Sequence, residues 1–561
     1  RYHRNLRFFK EWDNEDVMQV YLTALAHVYD PHSDYFNASG SDNFSIGMSL
    51  SLFGIGAQLK SEDGYCTIDK LLPGGPAAKS GKIKERDRVV AVAQGDGPFE
   101  DVVEMSLNKA VRLIRGAKGS EVRLVLMPAS DPTSRQTLAL IRDEIKLEDQ
   151  EAKARIIDMP VGDGKAARVG VIDLPSFYAT VDLTGERRNS ERRSSTADVA
   201  RLLKKLEAEK VEGVILDLRR NGGGSLEEAI GITGLFIKSG PVVQAKGPGK
   251  DSPVAIEEDR DGGKQLYDGP LILLTSRGTA SASEIVAGAL QDYGRALIVG
   301  DISTHGKGTV QNLNPLTPYV RPATPSATND PGTLKLTIRK FYRAGGASTQ
   351  LKGVMPDIVL PSILNVAKDV GERAQENALE WDTLPSTKFD RVNLVAPYLA
   401  ELLRRSNGRV ATNRDFVYVR EDIEKFRARQ EDKTVSLNER ERLQEKETDD
   451  TRQKARKQEL LARHEPPATV YELTLRLADQ PGLPPAVEKT NSSVAKVSAP
   501  ATGFGTNSAS LTPRPVRRDV GLEGDDEELD PPAVDVALEE AEHIMLDYVG
   551  LAHKGFVSLA H

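Results

Sequence analysis

Leu271-Ile272-Leu273-Leu274-Thr275-Ser276-Arg277-Gly278-Thr279-Ala280-Ser281-Ala282-Ser283-Glu284 passes from an apolar run through a turn of small polar residues into a helical pattern that continues to Asp292-Tyr293-Gly294. A short apolar run bounded by turn residues reads as a buried strand, and Ser with Glu three positions later is a helix-start signature. The same strand, turn and helix recur upstream in Val214-Ile215-Leu216-Asp217-Leu218-Arg219-Arg220-Asn221-Gly222-Gly223-Gly224-Ser225-Leu226. Strands over 168–173, 213–218, 270–275 and 296–299, separated by helices over 198–209, 226–236 and 281–293, predict an α/β core.

Two readings of Ser281 stand side by side. A serine at a helix start caps it; it also sets a hydroxyl beside unsatisfied N–H groups and the positive dipole end, which favour a developing oxyanion. A second segment, Gly300-Asp301-Ile302-Ser303-Thr304-His305-Gly306-Lys307-Gly308-Thr309-Val310-Gln311, adds a lysine between two glycines just past a strand. Lysine deprotonates a serine only where burial destabilises its charged form, and then no histidine is needed. A phosphate loop is excluded, because five residues rather than four separate Gly300 from Gly306 and Gly308 stands where a hydroxyl is required. His305 as the base of a Ser/His/Asp triad stays open, although no G-x-S-x-G elbow surrounds Ser281. The three glycines 222–224 make either a tight connection or a set of N–H groups aimed into a cavity.

Upstream of this core, 48–127 alternates short strands with Gly and Pro turns and one helix near 107–114, the pattern of a small module rich in strands. In it, Gly54-Ile55-Gly56-Ala57 opens a strand; such a turn is a plain hairpin or a trap for a chain-terminal carboxylate. A helix is expected over 14–28. The Arg-rich stretch 182–195 reads as an exposed loop, and beyond Pro361 charged helices take over, most clearly over 439–464. Residues 479–532 are dominated by Pro, Ser, Ala, Gly and Thr and read as a linker, followed by an amphipathic helix over 534–551 that docks back on the body.

Composition bounds the function. A chain of 561 residues predicts about three to four folding units. A net charge of −8 disfavours nucleic acid as a partner, and one cysteine with eight scattered histidines assembles no zinc-ligand spacing, so no metal or other cofactor is expected. No apolar run approaches the length of a transmembrane helix. The numbering opens on Arg1 without a basic-then-apolar segment, which reads as a processed chain.

Taken in order, the segments resemble the tail-specific (C-terminal processing) proteases, serine peptidases with a PDZ domain. The resemblance runs from Asp30-Pro31-His32-Ser33-Asp34-Tyr35 through the glycine turn, Ser281-Ala282-Ser283-Glu284, Gln291-Asp292-Tyr293-Gly294-Arg295-Ala296 and Gly306-Lys307-Gly308-Thr309-Val310-Gln311 to Ser348-Thr349-Gln350 and Gly353-Val354-Met355-Pro356-Asp357-Ile358. The loop from Gly300 to Lys307 is one residue longer than the family pattern, with Ile302-Ser303 where proline is common.

The resemblance implies an α/β protease core of the crotonase and Clp-peptidase kind with an inserted PDZ domain and a helical C-terminal domain. The expected units are 1–45 helical, 46–130 PDZ, 131–361 peptidase with an insertion at 179–195, 362–480 charged helical, 481–532 linker and 533–561 helix. It implies Ser281 as nucleophile, with Ser283 its rival, Lys307 as base, Gln311 as the residue positioning the lysine, and Asp292 as support. It also implies oxyanion donors from Gly223 or Gly224 with Ala282, and peptide binding at Gly54, Ile55, Gly56 and Ala57. It further implies ATP-independent cleavage of proteins with apolar C-terminal tails, an adaptor protein as a further candidate partner, and a periplasmic or otherwise exported setting. The rivals are a PDZ-type binding protein or chaperone with a degenerate site, and an acyl-CoA enzyme that shares the oxyanion logic but has no use for a PDZ domain.

Overall fold

The computed structural model describes residues 12, 14–162, 165–181, 192–259, 265–320, 330–432, 434–463, 468–488 and 534–553. Helix Asn14–His27 leads into strand β1 (Asp34–Phe36), tied to it by Thr23, whose buried hydroxyl donates to the Tyr35 carbonyl (3.2 Å) and accepts the Tyr35 N–H (3.3 Å).

Strand β2 (Ser51–Gly54) starts a small antiparallel module of β3 (Ala57–Glu62), β4 (Tyr65–Leu71), β5 (Arg88–Gln94), β6 (Glu100–Asp101), β7 (Glu121–Met127) and β8 (Gln136–Ile141). The sheet order is β3-β4-β5-β7-β8 with β6 on β5, so β3 is an edge strand. Period-two alternation drives it: Val122, Leu124 and Leu126 of β7 face inward against Ile68 and Val89, and helix Leu107–Ile114 closes that core with Ala110 and Ile114. Strand β9 (Asp143–Lys146) zips back along β2, from Ser51 opposite Lys146 to Gly54 opposite Asp143, so entry and exit of the module run side by side.

The central body begins with β10 (Lys153–Gly162), β11 (Lys165–Asp173), β12 (Gly213–Asp217), β13 (Pro241–Lys246), β14 (Val254–Glu258), β15 (Leu271–Thr275) and β16 (Leu297–Gly300). It continues with β17 (Thr309–Pro315), β18 (Thr333–Arg343), β19 (Ile358–Val359), β20 (Thr469–Leu473) and β21 (Val487–Glu488). The main sheet runs β19-β16-β15-β12-β11-β10-β20-β21, parallel from β19 to β11 and antiparallel beyond. Every residue of β12 and β15 is buried, because apolar clusters cover both sheet faces. One cluster lies under helices Ser195–Ala208, Leu226–Gly234 and Ala282–Asp292, the other under helices Ala396–Thr412, Arg414–Glu431 and Val536–His553. A second sheet, β1-β18-β13-β14 with β17 on β18, stands beside the first. The chain crosses from one sheet to the other between β16 and β17, and Lys307 lies in that crossing.

Several expectations need correction. The region 362–480 is not wholly helical: β20 pairs with β10, Ala154 opposite Leu473, because buried Val470 and Leu473 give it a period-two face too short to stand out from the charged helices around it. From 366 to 395 the chain holds one short 3-10 turn, Glu372–Ala374, and an isolated bridge from Thr383 to Ala347, but no helix of the long charged kind. The second sheet has no clear mark in the sequence pattern of β17 and β18, which are largely half-exposed and lack a continuous apolar run. Ser194 caps its helix by accepting the Ala197 N–H, and Ser195 is buried, so the polar insertion is narrower than 179–195; its centre, 182–191, lies outside the described residues, as do 489–532 of the linker. Helix Val536–His553 packs its buried Ala541, Ile544 and Met545 on the main sheet, where a Cβ on Gly213 would lie 2.2 Å from Met545 Sδ. Among the described residues no helix is long and apolar enough to cross a membrane.

Candidate active site

Strand β15 ends in a turn locked by Thr279, whose hydroxyl accepts the Ser276 N–H (2.9 Å) and donates to the Leu218 carbonyl (2.8 Å). The Ser276 hydroxyl donates to the Arg219 carbonyl at 2.5 Å, fixing this turn to the one after β12. Ser281 follows with φ 58° and ψ −116° and immediately precedes helix Ala282–Asp292. A positive φ at a non-glycine costs about 1–3 kcal/mol, so the sharp strand-to-helix turn at Ser281 is strained.

What over-determines the strained turn is Glu284, 0% exposed. Its Oε1 accepts the Thr304 hydroxyl (2.5 Å) and the Gly306 N–H (2.7 Å), and its Oε2 accepts the N–H of Ser281 (2.7 Å) and of Lys307 (3.0 Å). Burial pushes this carboxyl up to about 7, opposed by the Thr304 hydroxyl, His305 and the backbone N–H groups, so the donors that hold the site together also hold the charge. Glu284 was legible only as the far end of a capping box; no pattern in the sequence pointed to its bonds with the 304–307 loop.

The Lys307 amine donates to Gln311 Oε1 at 2.7 Å. Burial first, then the charge of Lys335, lowers its pKa to about 8, against the pull of Glu372, Asp34 and Glu284. Lys335 itself pairs with Asp34, its register partner across β1 and β18. Gln311 anchors its own amide on the hydroxyls of Thr309 (2.9 Å) and Thr337 (3.0 Å).

The glycine turn comes within van der Waals range of the serine. Gly223 has φ 110°, and a Cβ there would lie 2.8 Å from Ser281 Cβ and 3.3 Å from the Ala282 nitrogen, so no side chain fits. The Gly223 N–H donates to Asn221 Oδ1 (2.9 Å), whereas among the described residues no hydrogen-bond acceptor faces the Gly224 N–H. A Cβ on Gly224 would fall 2.3 Å from the Phe177 carbonyl. Ala282 is the first residue of its helix, where the N–H has no intrahelical acceptor. Asn221, 0% exposed, ties three pieces of this corner: its Nδ2 donates to the Leu174 carbonyl (2.9 Å), and its carbonyl accepts the Ala280 N–H (3.1 Å) and the Ser283 hydroxyl (3.0 Å).

Ser283 is therefore buried with its hydroxyl engaged. His305 turns its imidazole to Glu372 (3.5 Å). Asp292 accepts the Arg343 guanidinium (2.5 Å) and the Gly345 N–H (3.1 Å), which fastens the far end of the helix to the turn after β18. Among the described residues no group of His, Cys, Asp and Glu could hold a metal ion.

The loop 54–57 lies in the small module. Gly56, φ 73°, approaches Gly75 so closely that a Cβ would sit 2.9 Å from its Cα. The carbonyls of Ile55 and Gly56 accept the N–H groups of Ala77 (2.8 Å) and Leu72 (2.9 Å), while no described group accepts the N–H of either residue. The loop thus opens onto the edge strand β3 with unpaired donors, beside Arg115 at the end of helix Leu107–Ile114.

Family models match four stretches of the chain: peptidase family S41 over 168–360, the PDZ domain over 44–127, the tail specific protease N-terminal domain over 1–39, and the C-terminal domain of tail specific protease (DUF3340) over 366–550. The chain is 39% identical over 455 residues to the tail-specific protease of Haemophilus influenzae, covering 81% of this chain and 61% of that protein. It is 33% identical over 352 residues to the carboxy-terminal processing protease CtpA of Bacillus subtilis, covering 63% of this chain and 65% of that one. The chain thus spans somewhat under two thirds of either relative. Among solved structures, a photosystem II D1 C-terminal processing protease is 26% identical over 65% of this chain and 88% of its own, with a TM-score of 0.34.

Proposed function

Because the chain belongs to the tail-specific proteases of peptidase family S41, we propose that it is an ATP-independent serine endopeptidase in which Ser281 is the nucleophile and Lys307 the base. The observation that carries this reading is that one oxygen of Glu284 receives the N–H of both residues, while the lysine amine is lowered to about 8.

In this reading the Ser281 hydroxyl attacks a peptide carbonyl as its proton passes to the neutral Lys307 amine. The Ala282 N–H and a donor from the glycine turn receive the oxyanion. We assign that donor to Gly224, whose N–H is unclaimed, with Gly223 giving the close approach. The ammonium of Lys307 then protonates the leaving amine, and water, activated by the same lysine, releases the acyl group. The loop 54–57 offers the N–H groups of Ile55 and Gly56 to a terminal carboxylate while the tail adds to the edge of β3. An exported setting follows from likeness to the bacterial relatives alone.

The test uses a protein substrate with an apolar C-terminus. Ser281→Ala and Lys307→Ala abolish cleavage, and His305→Ala does not. Undiminished cleavage by either of the first two ends the dyad. Tail binding without cleavage, and without labelling of Ser281 by a serine-reactive probe, makes the protein a peptide receptor instead.

A further inference from the structure

Gln311 is a carboxamide, and only one of its two orientations presents oxygen to the lysine. What selects that orientation lies far away in the chain. The Thr337 hydroxyl donates to Asp30 Oδ1 at 2.7 Å. A carboxylate can only accept, so this hydroxyl has spent its proton and meets Gln311 Nε2 (3.0 Å) with a lone pair. The amide must then turn its NH2 toward Thr337 and its oxygen toward the Lys307 amine (2.7 Å).

Asp30 is 5% exposed and is itself held rigid. Its Oδ1 also accepts the His32 N–H (2.9 Å), its Oδ2 accepts the Ser33 hydroxyl (2.5 Å), and the same Ser33 oxygen accepts the Thr337 N–H (3.0 Å). Pairing of β1 with β18, Asp34 opposite Lys335, is what delivers the segment 30–33 beside Thr337. A second path leaves the same segment. The His32 imidazole meets the Glu372 carboxylate (2.8 Å), Gln350 Nε2 donates to Glu372 Oε1 (2.8 Å), and Gln350 Oε1 accepts the Gly308 N–H (2.7 Å), next to Lys307.

We propose that Asp30, acting through Thr337 and Gln311, is a positioning residue that fixes the acceptor aiming the Lys307 amine. The inference rests on the Ser281/Lys307 reading. The charged and titratable groups acting on the lysine are Lys335, Asp34, Glu284, Glu372 and His32, with His305 on Glu284 and Glu372, and none of them lies on this path.

The experiment is a double-mutant cycle on kcat with the full chain, using Asp30→Ala, Gln311→Leu and the pair, each followed against pH. With the relay cut, the Thr337 proton is free to turn to Gln311 and the amide is free to flip, which removes an acceptor that favours the ammonium. Asp30→Ala is expected to lower kcat by roughly 10-fold to 100-fold with KM little changed, to move the acid limb to lower pH, and to add nothing once Gln311 is Leu. A merely loosened site admits water to the lysine and moves the limb the other way. Should Asp30→Ala fail to fold, Thr337→Val enters the same cycle, with Thr337→Ser retaining the wild-type limb. Additive losses, or an unmoved limb, overturn the proposal. Cleavage that survives Lys307→Ala overturns the dyad instead, so the two failures are distinguishable.

Discussion

Ser281 and Lys307, 26 positions apart, donate their backbone N–H groups to the same oxygen of Glu284, at 2.7 and 3.0 Å. The strained turn of Ser281 and the loop of Lys307 are thus set by one buried carboxylate, and neither can shift without breaking a bond to the other's support. Replacing that carboxylate by an isosteric amide puts an N–H where an acceptor is required. Glu284→Gln should lower the rate of Ser281 labelling by a serine-reactive probe roughly 100-fold, since misplacements of about 1 Å have that cost. An unchanged labelling rate in a folded variant removes Glu284 from the account.

The depressed Lys307 gives a pH dependence with a definite sign. Below about 8 the amine is protonated and cannot accept the serine proton, so kcat/KM should rise with pH through that value. A pH–rate profile on a tail-bearing peptide checks it; a limb near neutral histidine values contradicts it.

The same shift predicts stability. Lys307 titrates near 10.5 when unfolded and about 8 when folded, so between those values the unfolded chain binds more protons and stability rises with pH. The contribution is present above about 10.5 and lost as pH falls through about 8. Urea unfolding of wild type against Lys307→Met should show this slope in the wild type only.

Gly56 packs on Gly75 in a left-handed conformation. Gly56→Ala should raise KM for a substrate with a free apolar C-terminus roughly 10-fold or more while sparing kcat on a short untailed peptide, a loss of about 1.4 kcal/mol in binding. Amidating the substrate's C-terminus should mimic the variant. Equal effects on both substrates would remove the loop from substrate capture.

Ile544 is fully buried under the main sheet although it lies beyond the proline- and serine-rich stretch. Ile544→Ala should destabilise the protein by about 2–5 kcal/mol in urea unfolding, the range for truncating a core aliphatic side chain. A change within ~0.5 kcal/mol, as at a surface position, would mean that the helix does not dock in solution.

Much of this molecule is legible in order along the chain. The apolar runs of β12 and β15, the turns that end them and the helices that follow are local signals, because strand burial, glycine freedom and helix starts act over a few neighbours. Hence the α/β core and the small strand-rich module can be read directly. Strands β17, β18 and β20 escape such a reading because each is half-exposed and owes its conformation to partners distant in sequence.

Lys307 stands out by its sequence context, between two glycines, whereas Ser281 at a helix start reads equally as an ordinary cap. Their supports do not stand out. Glu284 reads as a cap, Asp30 as a turn, and Thr337 as any β-branched strand residue. Hydrogen bonds between positions some 300 apart, such as Thr337 to Asp30 (2.7 Å), leave no periodicity to detect. The order of residues dictates which side chains can do the chemistry. How those side chains are aimed is settled in three dimensions, since orientation depends on buried acceptors that the fold brings from remote parts of the chain.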